Sequence, residues 1–238
     1  MSAPRPTMVW SDFGGVLTSP IDEALDRVLA AAGLPEHAFL DAVRRVADDL
    51  APHTGCAAAF EALERGRVSQ AEWGRRVTAA LAPDLIPRID LTSFGDHWYT
   101  DRRIDTHLLA ELHALRQQGT RIGLLTNSVA EWEPHRRALL HAAAPHLFPG
   151  LFDTVIASHV CGLSKPDPRI LAHAERVAGV VPRQCLLIDD VAANCAAARA
   201  RGWRAIHHVA APTTVAALAA LLASDAPSTG DESGTGGA

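Results

Sequence analysis

The sequence is poor in lysine and in asparagine. Its 22 basic residues include a single lysine, Lys165, and its 238 residues include only two asparagines, Asn127 and Asn194. A bias this strong pushes cationic positions toward arginine. A lysine kept against it points to a position where a compact, rotatable ammonium is needed and a planar guanidinium will not serve. Cysteine is also scarce. Cys56, Cys161, Cys185 and Cys195 form no CxxC pair and no close metal-ligand spacing, which leaves reduced thiols as the reading. No apolar run approaches the ~18 residues of a membrane helix. The stretch MSAPRPTMVW has no apolar signal core, so a cytoplasmic protein without a membrane partner is expected. A net charge of −5 and a pI near 6.2 argue against nucleic acid as a partner. What is present in quantity is core material. Hydrophobic residues make up 48% and charged ones 21%, which excludes wholesale disorder.

The pattern changes along the chain. An apolar strand over 7–11 ends at Asp12, with Phe13-Gly14-Gly15 as the turn after it. Ser19-Pro20 reads as an N-cap with proline at the first helical position, opening a helix that Gly33 stops. From there to about Asp96 every periodicity is helical. One helix fits 36–50, and the break at 52–55 precedes a short one ending at Gly66. Ser69-Gln70-Ala71-Glu72 is a capping box that opens another. After Asp101, helices alternate with strands over 121–125, 154–157, 185–188 and 203–209. That alternation predicts a Rossmann-like α/β fold: a three-layer parallel sheet core with an inserted all-helical domain. The expected division is a core of 1–18 and 97–223, a helical insert of 19–96 and a flexible tail of 224–238.

In an open parallel sheet, ligands bind beyond the carboxyl ends of the strands. Those ends carry Asp12, Thr126 with Asn127, and Asp189 with Asp190; Lys165 lies in a Gly-Leu-Ser-Lys-Pro-Asp-Pro loop between a strand and a helix. Thr126, Asn127 and Lys165 are donors suited to phosphoryl oxygens. The three carboxylates would repel a phosphate unless a divalent cation lay between, and a set of hard oxygens favours Mg2+. Asp12 then has the chemistry of a nucleophile that forms an aspartyl-phosphate for water to hydrolyse.

DFGGVLT at 12–18, LLTNS at 124–128, SKPDP at 164–168 and LLIDDVAANCAAARARGW at 186–203 resemble, in order and spacing, the four motifs of the haloacid dehalogenase-like hydrolase superfamily. The insert resembles that superfamily's small helical cap, and FEALERGRVSQAEW looks like a segment common within it. The resemblance implies Asp12 as nucleophile and metal ligand, and Thr126 and Asn127 as holders of the phosphoryl oxygens. Lys165 would bridge Asp12 and the phosphate. The implied Mg2+ site is Asp12, the backbone carbonyl of Gly14, Asp190, and Asp189 either directly or through water. The implied activity is a phosphatase acting on a small phosphorylated metabolite, as a monomer or homodimer. A catalytically idle relative that binds a phosphometabolite or protein partner is the alternative. A dehalogenase fits less well, because the acidic pair demands a counter-charge.

The pattern is broken at one place. The superfamily's phosphatases usually carry a second Asp two residues after the nucleophile, as the acid that protonates the leaving oxygen; here that residue is Gly14. Three readings stand: a substrate with a good leaving group, such as a sugar 1-phosphate; an acid supplied by the cap, with Asp22, His53 and His97 as candidates; or a weak or non-catalytic protein. Among the remaining polar residues, Arg102-Arg103, Arg136-Arg137 and Arg199/Arg201 read as solvated faces. His207-His208 reads as structural, Asn194 as a helix-end hydrogen-bonding residue, and Trp98-Tyr99 as either packing or a cavity wall.

Overall fold

In this computed structural model the described residues are 6–50, 60–148 and 150–223. The strand β1 (Met8–Ser11) has no accessible side chain. Its position explains this. The strand order is β3-β2-β1-β4-β5, with β2 (Arg121–Thr126), β3 (Thr154–Ala157), β4 (Cys185–Asp189) and β5 (Arg204–His207). All four pairings are parallel, so every strand ends on the same edge. A central parallel strand is covered on both faces. Successive residues therefore enter different cores. Val9 packs with Ile122, Leu186 and the leucines of α6 (Thr106–Gln117), whereas Met8 and Trp10 pack with Leu187 and α9 (Pro168–Ala178). Ser11, the polar exception, donates to the Asp12 carbonyl at 2.7 Å.

Between β1 and α6 lie α1 (Ile21–Ala32), α2 (Glu36–Leu50), α3 (Glu61–Glu64), α4 (Gln70–Ala80) and α5 (Phe94–Tyr99). No strand occurs among the described residues of 19–96. These helices share a core of their own. Phe94 lies 5.9 Å from Phe39, 5.3 Å from Trp73 and 5.7 Å from Trp98, ring centre to ring centre. Trp132, from the turn after β2, adds its ring 5.5 Å from Trp98 and ties the helical layer to the sheet. A buried glutamine secures the same junction: Gln70 accepts from the Gly95 N–H at 2.8 Å and from the Trp132 indole, and donates to the Thr92 carbonyl at 3.0 Å. The two strand-like crossings between the layers run side by side, bridged at Thr18 and Ile104 and bonded from Ser19 N–H to the Arg103 carbonyl at 2.9 Å.

Several local expectations change. The N-cap of α1 is Pro20, without a side-chain cap, because Ser19 is engaged in the crossing: its carbonyl also accepts from Arg102 at 2.9 Å. Ser69 caps α4 by accepting from Glu72 N–H at 3.2 Å. Glu72 turns instead to Arg75 and Arg76, so only half of the capping box forms. Two arginines assigned to solvated faces are buried, Arg102 and Arg136, each 5% exposed. Arg102 donates to Thr18 and lies over the Trp98 ring at 5.4 Å, while Arg136 pairs with Glu133. Their neighbours Arg103 and Arg137 are exposed, as adjacent residues that point in different directions must be. The turn α8 (Ser158–Cys161) was not anticipated. The 52–55 break, His53, Cys56 and the tail over 224–238 lie outside the described residues.

Candidate active site

The sequence-derived candidates collect at the carboxyl edge of the sheet. Asp12 follows β1, Thr126 ends β2, and Asp189 ends β4 with Asp190 next. Oxygens of Asp12, Asp189 and Asp190 lie within 4.8 Å of one another. Lys165 enters from the loop before α9 and is 3% exposed. Its Nζ lies 2.9 Å from Asp12 Oδ1 and 2.6 Å from Asp189 Oδ2.

The two asparagines hold this lysine from two sides. Asn127 accepts from the Lys165 backbone N–H at 2.9 Å and donates to the Lys165 carbonyl at 3.0 Å, which fixes the loop. Asn194 donates to Asp189 Oδ1 at 2.8 Å, and Val191 N–H donates to the same oxygen at 2.9 Å. Asp189 thus accepts at both oxygens and is held in place as the partner of Lys165. Asn194 is the helix-end hydrogen-bonding residue expected of it. Among the described residues the Thr126 hydroxyl makes only a long bond, 3.3 Å, to the carbonyl of Asn127.

The electrostatics follow from three carboxylates and one ammonium withdrawn from water. Burial pushes the Asp12 carboxyl up to about 7; Lys165 opposes that rise, and Asp189 and Asp190 add to it. Asp190 is raised for the same reasons, burial first and Asp189 second. Burial alone would lower the Lys165 ammonium, but Asp12 and Asp189 outweigh it and hold the group charged. The cluster is left with excess negative charge on hard oxygen donors, the chemistry a divalent ion such as Mg2+ complements.

A stability consequence has a definite sign. The folded chain keeps a proton on Asp12 up to about pH 7, where an unfolded Asp releases it near 3.8. Stability contributed by this group is therefore lost as pH rises from about 4 through 7. Melting temperatures of chelator-treated protein should fall across this window, and added Mg2+ should flatten the decline.

Gly15 is needed for this geometry. Its φ is +74°, and a Cβ placed there would overlap the Asp190 carboxylate. Gly15→Ala is expected to cost about 1–2 kcal/mol from the left-handed backbone alone. It should also displace Asp190 and weaken Mg2+ binding in calorimetry by tenfold or more, about 1.4 kcal/mol.

Two adjoining cavities open over the cluster. One, of about 300 Å³, is lined by Asp12, Lys165 and Asp190 among others. The other, of about 110 Å³, is walled by Phe60, Trp98, Tyr99, Trp132 and Arg102 and reaches Thr126. Trp98 and Tyr99 therefore line a cavity as well as pack. Both cavities include Gly14, Ile21, Asn127 and Glu64. The sequence offered no role for Glu64, although it falls inside the FEALERGRVSQAEW segment, and assigned Arg102 to a solvated face rather than to this cavity. Of the acids proposed from the cap, Asp22 is exposed, and neither it nor His97 lines these two cavities. The buried thiols Cys185 and Cys195 are not activated: burial pushes the first up to about 12 and the second up to about 11. His207 donates to the Asp190 carbonyl at 2.9 Å and His208 pairs with Thr214, both structural contacts.

Comparison with known proteins places this chain in a family. The chain is 35% identical over 124 residues to phosphatase MT3486 of Mycobacterium tuberculosis, covering 52% of each chain. It is 32% identical over 205 residues to a plasmid-encoded phosphoglycolate phosphatase of Cupriavidus necator, covering 82% of this chain and 78% of that one. It thus spans about half the length of the first relative and most of the second. Its fold matches a haloacid dehalogenase family enzyme of Bacteroides thetaiotaomicron solved with magnesium and inorganic phosphate, at a TM-score of 0.56 and 19% identity over 86% of this chain and 95% of that one. The sequence profile of the haloacid dehalogenase-like hydrolases matches residues 9–202, and with the four motif segments gathered at one sheet edge the chain belongs to that enzyme family.

Proposed function

We propose that the protein is a Mg2+-dependent phosphatase that hydrolyses the phosphoric monoester of a small metabolite through an aspartyl-phosphate on Asp12. The observation that carries this reading is Lys165 Nζ set between Asp12 at 2.9 Å and Asp189 at 2.6 Å, beside a third carboxylate. Asp12, Asp190 and the Gly14 carbonyl would hold the metal, with Asp189, its oxygens already accepting from Lys165, Asn194 and Val191, contributing through water or through position. The bound ion supplies positive charge against the phosphoryl oxygens and lets the carboxylates coexist with a phosphate.

The chain's own residues do the rest. Lys165 works against the protonation that burial favours on Asp12 and presents its ammonium to the phosphoryl group. Thr126 offers its hydroxyl from the end of β2. Asn127, with both ends of its amide on the Lys165 backbone, acts on the phosphoryl group by fixing that loop. Asp12 attacks phosphorus as the ester oxygen departs, and water then hydrolyses the acyl phosphate. The helical segment over 19–96 serves as a cap on the core of 1–18 and 97–223, excluding water during attack. The aromatic cavity of about 110 Å³ limits the leaving group to a small one. A cytoplasmic setting suits the buried free thiols Cys185 and Cys195.

The test is hydrolysis of p-nitrophenyl phosphate, whose leaving group needs little protonation. Turnover should require Mg2+, vanish with chelator and return on adding the ion. Full activity in chelator would refute the reading, and inertness with Mg2+ would favour an idle binding protein.

A further inference from the structure

We propose that Glu64, at the end of α3, is the group that protonates the leaving oxygen and then takes a proton from the attacking water, in place of the carboxylate absent at Gly14. The inference rests on the phosphatase reading above. Its footing is geometric. Glu64 is common to both cavities, the one over Asp12 and Lys165 and the one left for the departing group. Its Oε2 is withdrawn from solvent and has no hydrogen-bond partner among the described residues. An unpartnered buried carboxyl oxygen is costly, and such groups are kept where they are used.

The helix that carries Glu64 is pinned to the sheet layer. Ser158 Oγ donates to the Glu64 carbonyl at 2.6 Å and accepts from Ser128 N–H at 2.9 Å. Arg65 donates to Ser164 Oγ at 2.8 Å, next to Lys165, and pairs with Glu61 at 2.7 Å. The side chain is thus held over the site by bonds from the residues that follow β2 and β3. Gly14 offers no competing acid: a Cβ there would meet Ile21 Cδ1 at 2.8 Å, in space that the cap itself fills.

The charged and polar neighbours are Lys165 across the site, Glu61 and Arg65 on its own segment, and the Asn127 amide. Burial, reinforced by Glu61 against the pull of Lys165, Arg65 and Asn127, pushes the Glu64 carboxyl up to about 7. A group with that affinity gives and regains a proton at neutral pH.

The protons balance over two half-reactions. As Asp12 Oδ bonds to phosphorus and the P–O bond to the leaving group breaks, the electron pair on that oxygen takes the Glu64 proton. The Glu64 carboxylate then removes a proton from the water that attacks the aspartyl-phosphate. Phosphate is released, and Asp12 and the Glu64 acid are restored.

The experiment compares p-nitrophenyl phosphate with a simple alkyl phosphate. Glu64→Gln should lower alkyl phosphate kcat/KM by about 10²–10⁴-fold and p-nitrophenyl phosphate kcat/KM by about tenfold or less. Sugar 1-phosphates should then be favoured over 6-phosphates, the preference that Gly14 alone would suggest. Equal losses on both substrates, or none, would overturn the assignment. The wild-type chain gives a second readout that does not depend on the variant's folding. Alkyl phosphate turnover should fall as pH rises past about 7, and p-nitrophenyl phosphate turnover should show no such limb. Identical profiles would also overturn it. A wild-type chain inert on p-nitrophenyl phosphate with Mg2+ removes the phosphatase reading and this role with it; activity there with no difference between the substrates removes the role alone.

Discussion

Asp12→Asn is expected to reduce Mg2+-supported hydrolysis of p-nitrophenyl phosphate by on the order of 10⁴-fold or more, the scale of losing a covalent nucleophile. An amide is nearly the same size as the carboxylate but cannot attack phosphorus. Folding should survive the exchange. The wild-type carboxyl is pushed up to about 7 by burial and by its acidic neighbours, so a neutral side chain relieves a cost that ionised Asp12 imposes. The variant should melt at or above the wild-type temperature in chelator at pH 8. Its melting temperature should also lack the part of the pH-dependent decline that Asp12 contributes. A stable, dead variant, together with one added phosphoryl mass on the Asp12 peptide of acid-quenched wild type, would establish the nucleophile. Retention of even a tenth of the activity would exclude it.

Lys165→Met should be as damaging, for a different reason. Lys165 lies 2.9 Å from Asp12 and 2.6 Å from Asp189, and it is the cation within the acidic cluster. Without it the buried carboxylates face one another uncompensated, a loss of about 3–5 kcal/mol when one partner of a buried pair is removed. That cost should be largest at pH 8 in chelator and smaller near pH 5.5, where Asp12 carries its own proton. Activity should fall by at least about 10²–10³-fold, as when one donor to a transition-state oxygen is deleted. Lys165→Arg should not rescue it, because the backbone at 165 is fixed by Asn127 on both its N–H and its carbonyl. The larger planar head has no room between two carboxylates at these distances. Full activity in the arginine variant would contradict this account of the site.

The sheet and the cluster of polar residues at its carboxyl edge were legible in the sequence because they rest on local, repeated signals. Buried parallel strands read as short apolar runs, and those over β1, β2 and β4 led into the polar residues Asp12, Thr126 and Asp189, which the sheet placed on one edge. Lys165 stood out through its rarity and through its place in the SKPDP segment after a strand, and the two rare asparagines proved to be its supports. Glu64, Arg102 and Arg136 were not legible. A charged residue faces water in most proteins, and for Glu64 and Arg102 contacts distant in sequence reverse that expectation. Glu64 is brought to the site by Ser158, 94 positions away, and Arg102 by Thr18, 84 positions away. Ser19 failed as a cap for the same reason: its backbone answers to Arg103 across the crossing.

The solitary lysine also makes the molecule a reporter of its own opening. An acylating reagent that seeks primary amines finds only the chain's terminal amine and a side chain that is 3% exposed and held protonated. Any label that reaches position 165 therefore counts excursions in which this buried side chain meets solvent, and a bound oxyanion should slow that clock.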